Sequence, residues 1–589
     1  MSRKISSYSF SSRALGLLLG CSAVLPSNKS FASEIKPNFI IILTDDQGYN
    51  DLGCFGSKNI KTPRIDQMAK EGVRFTSFYA QAVCGPSRGA LMTARYPVRI
   101  GDGWTTNPDE ITVAEVLKKV GYSTACIGKW DMSRRLVKPG QMPNDQGFDY
   151  YFGTLGATDE GKVEFYRNRE KAGGTSDMSA LTSMYTKEAL TFIEQKKDVP
   201  FFLYLAHSMP HVKIGASPKF KGKSAGELYG DVIEEIDWNV GLILDQLKKL
   251  GLDKDTYVLF TSDNGPWKGK EEEFRGSHDG QLATGCADPL RGGKASHFEG
   301  GFRVPAVLWG GVTPSGKVLD GIVSTLDVLP TFTRLAGRES PNDRPIDGFD
   351  QVNYITGKSK NSARTYFYYF IRNEVHAVRS GQWKLLIPNR QKSYDGFNNV
   401  LRDPKPTEPE LYDLFNDISE TTNVAEYHPD IVKNLMELSE KAPHNLIDIV
   451  SKEGNYLLNV RPNGKGVIIP AAVEILKETG SWQKIYGESI YGADGIRVNS
   501  PENIRFTTKP HQLFIHLLKA DSSKVIIKEM NQITGKYLDR IHKINLLADV
   551  KKKPLKVQYK NETLTIDMPT LLISKTEYNK YAEVIVVTD

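Results

Sequence analysis

Cysteine is scarce: the chain has five, at positions 21, 54, 84, 126 and 286, too few and too scattered for a disulfide framework. No C-x-x-C pair occurs, so the usual spacing of a structural zinc site is missing. Cys54 and Cys126 are read as buried thiols. An excess of one charge is also lacking, since 76 Lys and Arg against 70 Asp and Glu leave +6, small for 589 residues. That balance tolerates an anionic substrate. With no basic run and no aromatic-basic stripe, it does not point to nucleic acid. Hydrophobic residues at 40% and charged ones at 25% exclude a disordered composition. No internal repeat or low-complexity linker stands out. A chain of this length exceeds what one hydrophobic core serves, so two or three domains are expected.

What is present begins at the N-terminus. Arg3, Lys4 and Arg13 precede an apolar run, Ala14 to Leu25, of signal-peptide length and too short to span a bilayer. Ser30 and Ala32 offer a small-residue cleavage site, which predicts a signal peptide over residues 1–33. Leu18-Leu19-Gly20-Cys21 is an alternative end, similar to a bacterial lipoprotein signal, that would leave Cys21 lipidated. The expectation is an exported protein, periplasmic or lipid-anchored at a bacterial cell surface.

From Ile35 to about Gly337 apolar strands alternate with helices. Asn38 to Thr44 and Tyr257 to Ser262 read as buried strands, and Tyr122 to Gly128 as a third. Thr62-Pro63 opens a helix that Gly72 stops. Gly230 to Leu250 is an amphipathic helix with Val232, Ile236, Val240, Ile243 and Leu247 on one side. This pattern predicts an α/β fold with a doubly wound sheet, whose ligands bind beyond the carboxyl ends of the strands. After Gly337 the texture changes to short strands of a smaller sheet and a helix from about Asp430 to Lys441. Beyond Asn503 short β runs predict a C-terminal β-sandwich.

Polar clusters follow three predicted strands: Asp45-Asp46, Lys129 and Asp263-Asn264. The first and last are hard oxygen donors of the kind preferred by Ca2+ or Mg2+. Either pair alone also fits turn residues; two pairs at matching strand ends argue for a shared cation, because buried carboxylates need one. Cys84 stands before Pro86-Ser87-Arg88 and a helical stretch, Ala90 to Arg95, where positive potential favours an anionic substrate; the cysteine by itself fits a buried structural thiol equally.

Cys84-Gly85-Pro86-Ser87-Arg88 and the following Gly89-Ala90-Leu91-Met92-Thr93-Ala94-Arg95 resemble the signature of type I sulfatases, in which C-x-P-S-R directs oxidation of the cysteine to formylglycine. The resemblance runs from about Pro37 to Lys441. It takes in Gly128-Lys129-Trp130, His207-Ser208-Met209-Pro210-His211, Ser262-Asp263-Asn264-Gly265 and Leu290-Arg291-Gly292-Gly293-Lys294. It implies an alkaline-phosphatase-like sheet at residues 34–340 and a smaller α+β subdomain at 341–442. It further implies sulfate-ester hydrolysis on a carbohydrate and a maturation enzyme that makes the formylglycine. Asp45, Asp46, Asp263 and Asn264 would hold Ca2+, with modified Cys84 as a further ligand. The hydrated aldehyde would attack sulfur, and its second hydroxyl would later expel sulfate. Arg88, Lys129 and Lys294 would neutralise the sulfate oxygens, and His211 would protonate the departing sugar oxygen.

One position departs from the family pattern. Where histidine usually follows Gly-Lys-Trp, this chain has Asp131. Asp131 could serve as the base, could pair with Arg134 or Arg135 as a structural carboxylate, or could weaken turnover. His207, Arg275, His278 and His297 are expected around the substrate, the middle two in the Gly-rich loop Pro266 to Ala287. A phosphatase would use Ser or Thr where Cys84 stands.

His444 to Val460, with Ala472-Val473-Glu474-Ile475-Leu476 and Gly487-Glu488-Ser489-Ile490-Tyr491-Gly492, is similar to the end of the α-L-fucosidase barrel. The strands that would carry a fucosidase nucleophile are absent, so residues 443–497 read as a non-catalytic remnant before a β-sandwich at 498–589. The likeness hints at sulfated fucose polymers. The alternative is a bifunctional protein or a non-catalytic binder of sulfated glycans.

Overall fold

The computed structural model describes residues 36–101, 104–268, 271–371, 374–388 and 407–440, and beyond these residues 486–490, 493–495, 504–509, 511–517, 524–527, 543–547, 554–560, 563–568 and 583–588. The expected signal sequence, Cys21 and most of the fucosidase-like stretch, including the strand Tyr456 to Val460, lie outside the described residues.

An eleven-stranded sheet dominates the described residues. Its strands are β1 (Asn38–Thr44), β2 (Val73–Tyr79), β3 (Ser123–Lys129), β4 (Tyr150–Thr154), β5 (Val163–Arg167), β6 (Glu170–Thr175), β7 (Phe201–Ala206), β8 (Thr256–Ser262), β9 (Arg303–Gly310), β10 (Lys317–Leu319) and β11 (Val323–Ser324). The order is β10-β2-β9-β8-β1-β7-β3-β4-β5-β6, with β11 also on β2. β8, β1, β7, β3 and β4 run parallel, while β9 and the β5–β6 hairpin are antiparallel to their neighbours.

Seven consecutive buried residues make β1, Asn-Phe-Ile-Ile-Ile-Leu-Thr. A strand can be apolar throughout only if both faces are covered, and both are. Ile40 and Ile42 pack with Ile65 and Met68 of α1 (Pro63–Glu71), Tyr185 and Ile193 of α4 (Leu181–Lys196), and Ile236 and Ile243 of α5 (Glu227–Lys249). Phe39, Ile41 and Leu43 point the other way, against Leu117 of α3 (Val113–Lys118) and Leu329 and Phe332 of a following helix. α2 spans Cys84–Thr93, six residues earlier than the helical stretch read from Ala90. The apolar side of α5 is as predicted. Its buried Asp237 adds a bond that periodicity does not show, accepting the N–H groups of Arg64 and Ile65 at the free end of α1. Of the thiols, Cys126 is buried, but Cys54 is only partly so, because it lies in a surface turn with its amide on Asp66.

The smaller sheet is an antiparallel meander of β12 (Tyr366–Ile371), β13 (Glu374–Ser380), β14 (Trp383–Leu386) and β15 (Glu410–Asp413), with the helix Pro429–Glu440 beside it. Its tie to the main domain is electrostatic as well as apolar. Glu299, at the start of a short helical turn before β9, lies 3.0 Å from Lys384 of β14, and Lys384 lies 2.7 Å from Glu420. Tyr79 and Tyr369 donate to Glu299 at 2.6 and 2.5 Å. Burial opposes ionisation of Glu299, but Lys384, Arg379 and Arg303 outweigh it and hold the carboxyl far below its usual range.

The C-terminal strands form two antiparallel sheets. One is β16 (Asp494–Gly495), β17 (Ile504–Lys509), β18 (Gln512–Leu517), β23 (Glu583–Thr588) and β20 (Lys543–Leu546); the other is β19 (Lys524–Ile527), β22 (Thr563–Asp567) and β21 (Val557–Lys560). Phe506 and Ile515 of the first share one apolar cluster with Ile527 and Ile566 of the second, which makes a sandwich. No helix among the described residues is long and apolar enough to cross a membrane.

Lys384→Met would leave Glu299 and Glu420 buried without their shared cation. The expected cost is about 3–5 kcal/mol in urea unfolding; a loss under about 1 kcal/mol would mean the network does not hold the two sheets together.

Candidate active site

β1 and β8 are parallel neighbours with Thr44 opposite Ser262, so Asp45-Asp46 and Asp263-Asn264 leave the sheet at the same level. Asp46 turns back in the left-handed region, φ 67°, a conformation Asp tolerates better than most residues. Its backbone N–H donates to Asp263 Oδ1 at 3.2 Å, and Asn264 Nδ2 donates to Asp46 Oδ1 at 2.7 Å. Gly265 follows because a β-carbon there would overlap the Gly300 carbonyl. Asn264 Oδ1 is buried and has no hydrogen-bond partner.

Cys84 is the first residue of α2, so its side chain stands at the positive end of that helix. The turn is pinned by Ser87, whose Oγ accepts from Gln81 N at 2.9 Å. Cys84 Sγ lies 3.3 Å from Asp45 Oδ1 and 3.2 Å from Lys294 Nζ. Burial and the Asp45 charge push the thiol well above its ordinary pKa, against Lys129 and Lys294, so unmodified Cys84 is held neutral. A neutral thiol is a poor nucleophile.

Three buried cations face the carboxylates. Arg88, one turn into α2, reaches Asp263 Oδ2 at 2.7 Å and Asp45 Oδ2 at 3.5 Å, and donates to the Lys129 carbonyl at 2.9 Å. Lys129, at the end of β3, is 2.6 Å from Asp45. Lys294 is 2.6 Å from Asp46, its own backbone fixed by bonds to Pro266 O and, through Ala295, to Ala82 O. Burial opposes ionisation of Asp45, yet Lys129, His211, Arg88 and Lys294 hold it far below the usual carboxylate range. Burial and the Asp45 charge raise Asp263 instead.

The segment His207–His211 crosses the ends of β1 and β7, with Asp45 N donating to Met209 O at 3.2 Å. His211 Nδ1 is 2.6 Å from the Val212 carbonyl, which assigns the proton to Nδ1 and leaves Nε2 facing Asp46 and Asp159, each at 3.8 Å. Burial lowers its pKa, against the pull of Asp46 and Asp45. Asp45, Asp46, Cys84 and His211 each bring one donor atom into a group within 4.8 Å.

The other expected residues fall into two groups. Asp131 is inside, 3.3 Å from Lys129 and 3.4 Å from Arg135. His207 is buried beside Tyr185, its pKa lowered to about 4 by burial, and it lines the wall rather than the reacting group. Arg275 pairs with Glu227, at the start of α5, at 3.0 Å. His278 accepts from Ile214 N at 3.2 Å and so braces the segment carrying His211. His297 is buried 6.0 Å from His376, towards the smaller sheet. Two neighbours escaped sequence reasoning. Trp267 lies 5.9 Å from the His211 ring with Lys294 Nζ 4.7 Å over its own ring, and Asp159 sits in a loop with no motif. Trp267 follows Asn264 by three residues, which was the available signal.

Residues 37–338 match the Sulfatase family, and residues 398–488 match Alpha-L-fucosidase, a stretch that begins well before the remnant read from residue 443. N-acetylgalactosamine-6-O-sulfatase of Bacteroides thetaiotaomicron is 31% identical, covering 72% of this chain and 96% of its own. N-acetylgalactosamine-6-sulfatase of Mus musculus is 37% identical over 61% of this chain and 74% of its own. Among solved structures, a 6S-sulfatase from glycosaminoglycan metabolism in Bacteroides thetaiotaomicron superposes with TM-score 0.61 at 28% identity, over 68% of this chain and 98% of that one. The PsFucS1 sulfatase from Pseudoalteromonas sp. gives 0.59 at 27%, over 68% and 89%. With matches running through the whole α/β domain, the chain belongs to the sulfatase family and is a sulfuric ester hydrolase on an alkaline-phosphatase-like fold.

Proposed function

We propose that this enzyme removes sulfate from a carbohydrate, with Cys84 converted to formylglycine and Ca2+ held by Asp45, Asp46, Asp263 and Asn264. One observation carries the reading. The first residue of α2 places its Sγ among two aspartates and a lysine, where a nucleophile, oxygen donors and cations meet. The oxygens suit a hard cation, and the unpartnered Asn264 Oδ1 is a buried donor that such an ion would satisfy. Bound Ca2+ would supply Lewis-acid polarisation of a sulfate oxygen, and the hydrated aldehyde a hydroxyl nucleophile at neutral pH.

The chain's own residues do the rest. Lys129 and Lys294 meet the negative charge of the sulfate, while Arg88 holds Asp263 and Asp45 in place. His211 Nε2 points into the gap between Asp46 and Asp159; with Nδ1–H kept on the Val212 carbonyl, the ring acts as an imidazolium, and its second proton, at Nε2, passes to the oxygen that departs there. The pairing of Asp131 with Lys129 and Arg135 supports its structural reading over that of a base. The carbohydrate substrate is supported by relatives named for N-acetylgalactosamine 6-sulfate and by a structure from glycosaminoglycan metabolism. A fucose-containing substrate draws support from the second family match and from PsFucS1. Export with residues 1–33 removed, or anchoring at Cys21, fits such a polymeric substrate.

Mass spectrometry of the Cys84 peptide from a host with the maturation enzyme should show the aldehyde, and Cys84→Ala should reduce sulfate release to background. A native thiol in an active preparation would overturn the mechanism. Ca2+ at a hundredfold excess over its Kd should raise the unfolding free energy by about 2.7 kcal/mol. Asn264→Leu should abolish most of that shift; an equal shift in the variant would remove Asn264 from the ligand set.

A further inference from the structure

A cleft of about 440 Å³ opens beside the reacting group, with Arg135, Thr154, Asp159, Glu160, Lys162 and Tyr166 among its lining. Two of these connect it to the chemistry. Asp159 lies 3.8 Å from His211 Nε2 through Oδ1 and 2.7 Å from Arg135 Nη1 through Oδ2. Arg135 in turn lies 3.4 Å from Asp131, the residue at the family's departing position. Charges therefore alternate along Asp131, Arg135 and Asp159 up to the proton donor.

The arrangement is built. Thr158 Oγ1 donates to the carbonyls of His211 and Val212, at 2.9 and 3.0 Å, and so holds Asp159 beside the histidine. Gly156 leaves room for the Arg135 stem, since a β-carbon there would stand 3.2 Å from its Cδ. Asp131 is buried, but the Arg135 and Asp159 side chains are 38% and 33% exposed, so their free donors and acceptors face the cleft. The 3.8 Å separations on either side of His211 Nε2 exceed a hydrogen bond, so Nε2 is not committed to Asp46 or Asp159 and can meet one ester oxygen. On the Asp46 side stand Lys294 and Cys84, which take the sulfate. The alcohol half of the ester must then extend to the Asp159 side.

Resting on the sulfatase reading above, we infer that Arg135 and Asp159 form a recognition pair for the alcohol half of the substrate, binding a hydroxyl near the sulfated carbon, and that Asp131 is the residue that positions Arg135. The carboxylate accepts from the hydroxyl and the guanidinium donates to it, so the site selects a polyhydroxylated leaving group over a flat aryl one.

The test separates the two halves of the product. Sulfate release is followed on the 6-sulfate of N-acetylgalactosamine and on galactose and fucose monosulfates, with the free sugar and inorganic sulfate as competing inhibitors. In Asp159→Asn and Arg135→Gln the Ki of the free sugar should rise 10- to 100-fold, the worth of a hydrogen bond to a charged group. The Ki of inorganic sulfate should move less than twofold. Asp131→Asn should reproduce the sugar effect more weakly, and Arg135→Lys should restore part of it. Both inhibition constants moving together, or neither, would overturn the pair, because an effect on His211 or on stability does not distinguish the halves. If the wild type, with Cys84 converted, cleaves nitrophenyl sulfate but no sugar sulfate, the pair is overturned and the sulfatase reading stands. If it cleaves neither, the sulfatase reading fails and the pair falls with it.

Discussion

Three carboxylates, Asp45, Asp46 and Asp263, are buried together at the ends of two adjacent strands, and this concentration of negative charge governs the structure around it. Buried like charges are tolerated only with matched cations close by. Lys129, Lys294 and Arg88 each reach an aspartate oxygen within 2.7 Å, and they come from three separate parts of the chain. The end of β3, the loop before β9 and the first turns of α2 are thereby drawn to one point. Cys84 stands there because α2 has to deliver Arg88 one turn later.

A second island of buried charge repeats the logic for a different end. Glu299 and Glu420 share Lys384, and Arg303 and Arg379 add to it, joining the smaller sheet to the main domain. Glu299 begins the turn whose Gly300 carbonyl packs on Gly265, directly after Asn264. The interface between the two sheets thus reaches within a few residues of the candidate metal ligands. A change in the smaller sheet has a short mechanical route to Asp263 and Asn264.

What could be read from the chain was whatever local chemistry dictates. The unbroken apolar run of β1, the stripe on α5 and the polar residues after the strands all appear where expected, since burial on two faces leaves a plain pattern. The start of α2 did not, because Gly85 and Pro86 weaken a helical reading although Pro is at ease in a first turn. Asp159 carried no local mark. It lies between the short strands β4 and β5, and its place beside His211 depends on Thr158 bonding across 53 residues of sequence. Arg275 and His278 show the converse: a Gly-rich loop between two motifs suggested substrate contact, but their bonds run to Glu227 and to Ile214. Chain proximity to a motif says where a residue starts, not which way it faces.

The level exit of β1 and β8 bears on how such a site changes over evolutionary time. Thr44 and Ser262 are kept side by side by backbone pairing from Asn38 and Thr256 onward, not by the polar residues that follow them. The separation of the donor groups is therefore set by main-chain geometry that side-chain replacement leaves alone. Exchanging a nucleophile or a ligand alters the reagent while the jig that holds it stays.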